Sequence, residues 1–262
     1  APPHHKTLAI RSGSRHYKPA TLDCTMLSKN PVPARERLIF ALDVPSVDEA
    51  KAIVTQLGDS VSFYKAGLEL FMAGGYFELL AWLADRGKKV FADLKFFDVP
   101  NTVGSAVRAL RAHRPHFATV HGNDEILRAA CREKGDMKIL AVTVLTSLDR
   151  GDLNALGFQV DPQKLVYSRA ARAFEIGCDG VISSGLEAEQ LRNRLGGKFL
   201  VVVPGIRPVE NRESDDQKRT VDVEDAFRAG ADYIVVGRPI RKAPDPRAAA
   251  EQIQARIAKL FA

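Results

Sequence analysis

The residues best suited to chemistry lie in the segment Phe91-Ala92-Asp93-Leu94-Lys95-Phe96-Phe97-Asp98-Val99-Pro100-Asn101-Thr102. Asp93 and Lys95 are two apart at the end of an apolar run, so on a strand they share one face. Asp98 follows in the next loop. Carboxylates around a lysine favour its ammonium form and fix it in place. The bland alternative is an ion-pair network that merely closes the end of a sheet. Lys65, at the end of an earlier apolar run, is a second cation able to join the array.

Two further segments have the makings of a ligand site. Gly237-Arg238 follows the last apolar run. A glycine lets backbone approach an anion, and arginine offers a planar fork of donors, so the pair suits a phosphate. A solvated arginine would explain it equally simply. The stretch from Pro204 to Thr220 is long, polar and poor in core residues. Such a loop is either a lid or a surface excursion; as a lid it would bring Gln217 and Arg219 to the ligand. His121 is either a base or a satisfied histidine and is left outside the catalytic set. The absence of HExxH, GxSxG and P-loop patterns weakens protease, hydrolase and NTPase readings.

These residues need a scaffold, and the rhythm of the chain supplies one. Eight short apolar runs are expected as strands: Leu38–Asp43, Val61–Lys65, Lys89–Lys95, Phe117–His121, Ile139–Leu145, Gly180–Ser183, Phe199–Val203 and Tyr233–Gly237. Eight amphipathic stretches alternate with them: Val47–Leu57, Tyr76–Arg86, Thr102–Ala112, Glu125–Glu133, Pro162–Ile176, Ala188–Leu195, Val223–Ala229 and Pro246–Leu260. The strands are continuously apolar, as in Val201-Val202-Val203, which fits strands covered on both faces of a parallel sheet. Eight β-then-α units predict a single-domain α/β chain, a (β/α)8 TIM barrel. A doubly wound open sheet would need a GxGxxG turn, and strand 1 ends in Asp43-Val44-Pro45 instead. In a barrel the site lies at the C-terminal strand ends. The polar residues expected there are Asp43, Lys65, Asp93, Lys95, His121, Thr146, Ser183, Ser184, Pro204, Arg207, Gly237 and Arg238.

Composition narrows the partners. The 262 residues carry a net charge of +6, but residues 1–37 hold seven Lys/Arg against two acids, so the rest is nearly neutral. That argues against a nucleic-acid-binding face on the body, while RNA binding through the basic leader is the rival reading of a different class. No apolar run reaches the roughly 18 residues a membrane helix needs, so no membrane partner is expected. Cys24, Cys131 and Cys178 are odd in number and far apart, with no CxxC, which fits packing roles and a reducing, cytoplasmic setting. Residues 1–35 read as a basic, disordered extension and 36–262 as the barrel. Met26 suggests that residues 1–25 lie outside the natural core.

Motifs along the body carry a resemblance. Asp93-Leu94-Lys95-Phe96-Phe97-Asp98-Val99-Pro100-Asn101-Thr102 resembles the DxKxxDxPNT signature of the orotidine 5'-phosphate decarboxylase family. LIFALDVP at 38–45, YKAGLELF at 64–71, AVTVLTS at 141–147, PGIRP at 204–208, DDQKRT at 215–220 and VVGRPI at 235–240 extend it over about residues 36–262. The resemblance implies decarboxylation of orotidine 5'-phosphate to UMP without cofactor or metal. It implies that Lys95 is the proton donor, flanked by Asp93 and Asp98, with Lys65 completing the array. Asp43 and Lys65 would contact the ribose. Thr146, Pro204, Arg207, Gln217, Gly237 and Arg238 would surround the substrate, with Arg207, Gln217 and Arg238 at its phosphate. It also implies a homodimer in which Asp98 and Thr102 enter the partner's site. Val203 before PGIRP and Val221-Asp222 after Thr220 depart from the family pattern without replacing a reacting group. The nearest rival is a Mg²⁺-dependent sugar-phosphate decarboxylase or aldolase of the same barrel group, which shares the DxK…D pattern.

Overall fold

The computed structural model describes residues 26–206 and 221–262. Its strands are β1 (Leu38–Ala41), β2 (Phe63–Gly67), β3 (Lys89–Phe96), β4 (Phe117–Val120), β5 (Lys138–Val142), β6 (Gly180–Ile182), β7 (Leu200–Val203) and β8 (Tyr233–Val236). All pair in parallel and in sequence order, and β8 returns to β1 to close the barrel. The (β/α)8 expectation is met. β1, β4, β7 and β8 are buried at every position, which is why their sequences are unbroken apolar runs rather than alternating ones.

Two cores follow from the two faces of the sheet. Ile39, Phe63, Phe91, Phe117, Leu140, Leu200, Tyr233 and Val235 fill the barrel interior. Their strand neighbours, such as Leu38, Phe40, Tyr64, Ala92, Ala118 and Ile234, point outward into a second layer beneath the helices. Because side chains alternate along a strand, two residues beyond the interior Phe63, Phe91 and Phe117 come Lys65, Asp93 and Thr119. The sequence thus turns from aromatic to polar one layer higher, at the C-terminal mouth.

The helices are α1 (Val47–Leu57), α2 (Leu68–Met72), α3 (Tyr76–Ala84), α4 (Pro100–Arg111), α5 (Asp124–Glu133), α6 (Arg150–Ala155), α7 (Pro162–Ile176), α8 (Gly185–Leu195), α9 (Val223–Arg228), α10 (Arg238–Arg241) and α11 (Pro246–Leu260). Side-chain caps set many starts: Ser46, Asn123, Asp161, Ser184 and Asp245 each accept a backbone N–H of the first turn, satisfying donors the helix cannot. α2, α6 and α10 were not expected. At four to six residues they are too short to show a 3.6-residue apolar period.

Several strands end earlier than the apolar runs do. Asp43, His121, Thr146 and Gly237 therefore sit in the βα loops just past strand ends, while β2 and β3 run beyond Lys65 and Lys95. Residues 26–35, expected to belong to an extension outside the barrel, pack onto it. Met26 N–H donates to Arg228 O at 3.0 Å. Asp232, fully buried ahead of β8, accepts from the Ser28 hydroxyl and from Asn30 Nδ2 at 2.8 Å. Arg192 Nη2 and Val201 N–H, both at 2.7 Å, complete its shell.

Candidate active site

The polar layer gathers around a cavity of about 240 Å³ at the mouth. Asp43, Lys65, Asp93, Lys95, Thr146, Pro204, Gly237 and Arg238 all line it, on a floor that includes Phe91, Ile182 and Val235. Eight of the expected site residues are thus brought together from six different strand ends. Arg207 and Gln217 lie outside the described residues, as does Arg219. The described residues Ile206 and Val221 pair in parallel, next to Gly205 of the cavity wall.

Four charged side chains form one alternating chain. Lys65 Nζ lies 3.0 Å from Asp43 Oδ1 and 3.4 Å from Asp93 Oδ2, and Lys95 Nζ lies 2.9 Å from Asp93 Oδ1. Asp93 is the hub and is buried, whereas the Asp43 carboxylate is more than half exposed. A charge taken out of water is costly unless opposite charges and hydrogen bonds surround it, and here they do. Burial by itself pushes the Asp93 carboxyl up, but Lys65, Lys95 and a hydrogen bond from Thr119 hold it below its ordinary value of 3.8. Burial by itself would lower Lys65, but Asp93 and Asp43 lift it above its ordinary 10.5. Asp93 and Lys65, the two inner members, are therefore held as a carboxylate and an ammonium at neutral pH.

Lys95 reaches Asp93 by an irregular backbone. Its φ is +48°, in the left-handed region, which a non-glycine residue adopts at a cost of roughly 1–2 kcal/mol. The pairing of β3 with β4 shifts register between Ala92 and Phe96. Thr119 of β4 fills the gap: its hydroxyl accepts from Lys95 N–H at 3.0 Å and donates to Asp93 Oδ1 at 2.9 Å. Sequence reasoning passed over Thr119. Its place two residues after the interior Phe117 was the available signal.

Not every expected residue joins the array. Asp98 makes no ion pair with Lys95 among the described residues; its carboxylate accepts from Val99 N–H at 2.6 Å. Asp98 and Thr102 are exposed and share a neighbouring surface hollow with Leu68, Phe71, Phe97 and Lys95. Spacing suggested Asp98 beside Lys95; within this chain the Asp98 carboxylate turns to the Val99 N–H instead, as the loop after β3 runs outward. His121, set aside at the outset, lies in an adjoining cavity lined also by Phe97 and Arg169. Burial, Arg169 and Lys95 lower its pKa.

Gly237 follows β8 directly, beside the end of β1. A Cβ there would stand 3.3 Å from Ala41 Cβ and 3.6 Å from Asp43 Oδ2, so glycine keeps that wall of the cavity open. Arg238 opens α10 immediately after it. The loops after β7 and β8 are where barrels commonly build phosphate sites.

Comparison with known proteins bears on the same residues. A family profile described as "Orotidine 5'-phosphate decarboxylase / HUMPS family" matches residues 36–253. An orotidine 5'-phosphate decarboxylase of Methylococcus capsulatus is 64% identical over 236 residues, spanning 90% of this chain and 98% of the relative. One from Xanthomonas axonopodis pv. citri is 54% identical over 235 residues, spanning 88% and 96%. Among solved structures, orotidine 5'-phosphate decarboxylase from Lactobacillus acidophilus superposes with a TM-score of 0.76 at 35% identity, covering 85% of this chain and 99% of that one.

Proposed function

The chain belongs to the orotidine 5'-phosphate decarboxylase / HUMPS family, and from that premise we infer how its barrel mouth works. It decarboxylates orotidine 5'-phosphate to UMP and CO2, a step of pyrimidine biosynthesis. Loss of CO2 from C6 of the pyrimidine leaves an electron pair on a ring carbon. Lys95 stabilises that charge with its ammonium and then delivers a proton to C6. Asp93 and Thr119 hold Lys95 in place, and Lys65 and Asp43 contact the ribose. Asp93, close to the substrate carboxylate, also disfavours the ground state. The observation that carries this reading is the alternating chain Asp43–Lys65–Asp93–Lys95, linked at 2.9–3.4 Å across the barrel mouth.

The phosphate end is assigned to Gly237 and Arg238, with Arg207 and Gln217 added by resemblance, and Thr146 and Pro204 complete the substrate's surroundings. Phosphate binding far from the reacting carbon supplies energy for positioning it. No metal or organic cofactor takes part in this scheme. Its support is that the cation between Asp43 and Asp93 is the Lys65 ammonium, where a Mg²⁺-dependent relative would set its carboxylates on a metal. The active form is a homodimer in which Asp98 and Thr102 enter the partner's site. The exposed Leu68, Phe71, Met72, Phe97 and Val99 around them support it, since apolar patches of this kind mark interfaces. A cytoplasmic setting is supported by cysteine usage without a disulfide framework.

The test is the ultraviolet absorbance change of orotidine 5'-phosphate with purified protein. The substrate band should be lost at the same rate with and without EDTA, and Lys95→Ala should slow turnover by about 10³-fold or more. Near-normal turnover of Lys95→Ala would refute its role, and loss of activity in EDTA would favour the metal-dependent reading.

A further inference from the structure

We propose that Cys131 and Cys178 are an oxidisable thiol pair, a modification site at which a hydroperoxide forms an intramolecular disulfide. Their Sγ atoms lie 3.5 Å apart although the residues are 47 positions apart in sequence. Cys131 is on the last full turn of α5. Cys178 follows Gly177, the left-handed residue that caps α7 and turns the chain into β6. Both backbones are held. Cys178 N–H donates to Ala173 O at 3.0 Å. Lys134, three residues after Cys131, bridges to Asp179, the neighbour of Cys178, at 2.6 Å. Asp179 in turn accepts from Ile139 N–H at 2.9 Å. This clamp fixes α5 against the α7–β6 corner, with the two sulfurs facing each other between them.

The two thiols are unequal in ways that give them an order of reaction. Cys131 is half-buried and within reach of a small oxidant, whereas Cys178 is buried. The two sulfurs share a hydrogen bond in which either can donate; that contact, with Lys134 nearby, holds the Cys131 thiol below its ordinary value against the effect of burial. The same hydrogen bond, with burial, pushes Cys178 up. Cys131 as thiolate attacks one peroxide oxygen. The S–O bond forms, the O–O bond breaks, and the other oxygen leaves as water or alcohol. Cys178 sulfur then attacks the Cys131 sulfenic acid. The S–S bond forms, the S–O bond breaks, and hydroxide leaves as water with the Cys178 proton. Both sulfurs are oxidised and the peroxide is reduced. Closing from contact at 3.5 Å to a bond of about 2.0 Å brings the sulfurs about 1.5 Å closer. Cys178 precedes β6, so the pair sits at the N-terminal end of the barrel, opposite Lys95, and oxidation should leave decarboxylation intact.

The experiment treats the full chain with hydrogen peroxide, blocks remaining thiols, and maps the peptides by mass. Expected is a cross-linked peptide joining Cys131 to Cys178 and a loss of about 2 Da from the intact mass. The Tm should rise by about 5 °C and return to its starting value with dithiothreitol. In Cys178→Ser, Cys131 should instead accumulate a sulfenic acid that dimedone traps. The proposal is overturned if both thiols survive peroxide, if Cys131 proceeds to sulfinic acid in the presence of Cys178, or if either residue pairs with Cys24 or with another copy.

Discussion

Thr119 couples the strained backbone of Lys95 to the carboxylate that positions its ammonium, using both hydrogen-bonding capacities of one hydroxyl. Removing it leaves Lys95 N–H unpaired and takes from Asp93 Oδ1 one of its two hydrogen bonds, the other being from Lys95 Nζ; such losses beside a charge amount to about 1.5–3 kcal/mol. Thr119→Val is therefore expected to lower kcat about 10-fold or more with KM little changed, and Thr119→Ser should restore most of it. A rise in KM alone would show that Thr119 serves substrate binding instead. The hub also sets a pH dependence. Asp93 is depressed below 3.8, so its contribution to stability is present above that value and is lost as pH falls through the folded value. Lys65 is raised above 10.5, so its contribution is present below that value and is lost as pH rises through the folded one. The stability gap between the wild-type chain and Asp93→Asn, read from urea titrations, should narrow as pH drops below about 3.8. A gap that held constant or widened in acid would contradict the assignment of Asp93 as hub.

At the scale of elements, the barrel has a chemical top and a structural bottom. The bottom is tied by Asp232, which gathers the Ser28–Asn30 lead, the Arg192 guanidinium of α8 and the Val201 amide of β7 around one buried carboxylate. Arg192 gives further hydrogen bonds to Gly230 O and Phe199 O, so it remains buried if its partner is lost. Truncating one member of such a pair strands the other's charge, which typically costs about 3–5 kcal/mol. Asp232→Ala should lose that much in urea denaturation while keeping its kcat at 25 °C, because the mouth is at the other end of the strands. Loss of activity without loss of stability would mean that the two ends are not independent.

At the scale of the whole molecule, the protomer leaves an acid and a hydroxyl of its signature segment outside its own cavity. Asp98 and Thr102 face outward beside exposed apolar side chains, which is the arrangement expected if a second copy covers them. In a two-fold dimer each protomer would then give and receive the same residues. This makes a sharp expectation for mixing. Lys95→Ala and Asp98→Ala should each be nearly inactive alone. Co-refolded in equal amounts, they should recover about one quarter of wild-type activity, because half the dimers are mixed and each mixed dimer holds one intact site. Mixed dimers that form, as judged by a tag, yet stay inactive would show that Asp98 serves its own chain.

The sequence by itself determined the barrel, the order of its elements and most of the array. Strands buried on both faces must be apolar throughout, and a polar residue at the end of such a run has few places to go except the mouth. Asp43, Lys65, Asp93, Lys95, Thr146, Pro204, Gly237 and Arg238 were legible on that ground, and they share one cavity. What the sequence left open depends on distances between segments far apart in the chain. Thr119 looked like an ordinary strand residue until β4 was laid beside the irregular end of β3. Asp98 looked like a partner for Lys95 because spacing along a strand does not say where the following loop turns. The short helices α2, α6 and α10 carry no period of their own. Cys131 and Cys178, unremarkable 47 positions apart, meet only because α5 packs against the corner between α7 and β6. Periodicity records which face of an element is buried; which residues then touch is decided by the closing of the barrel.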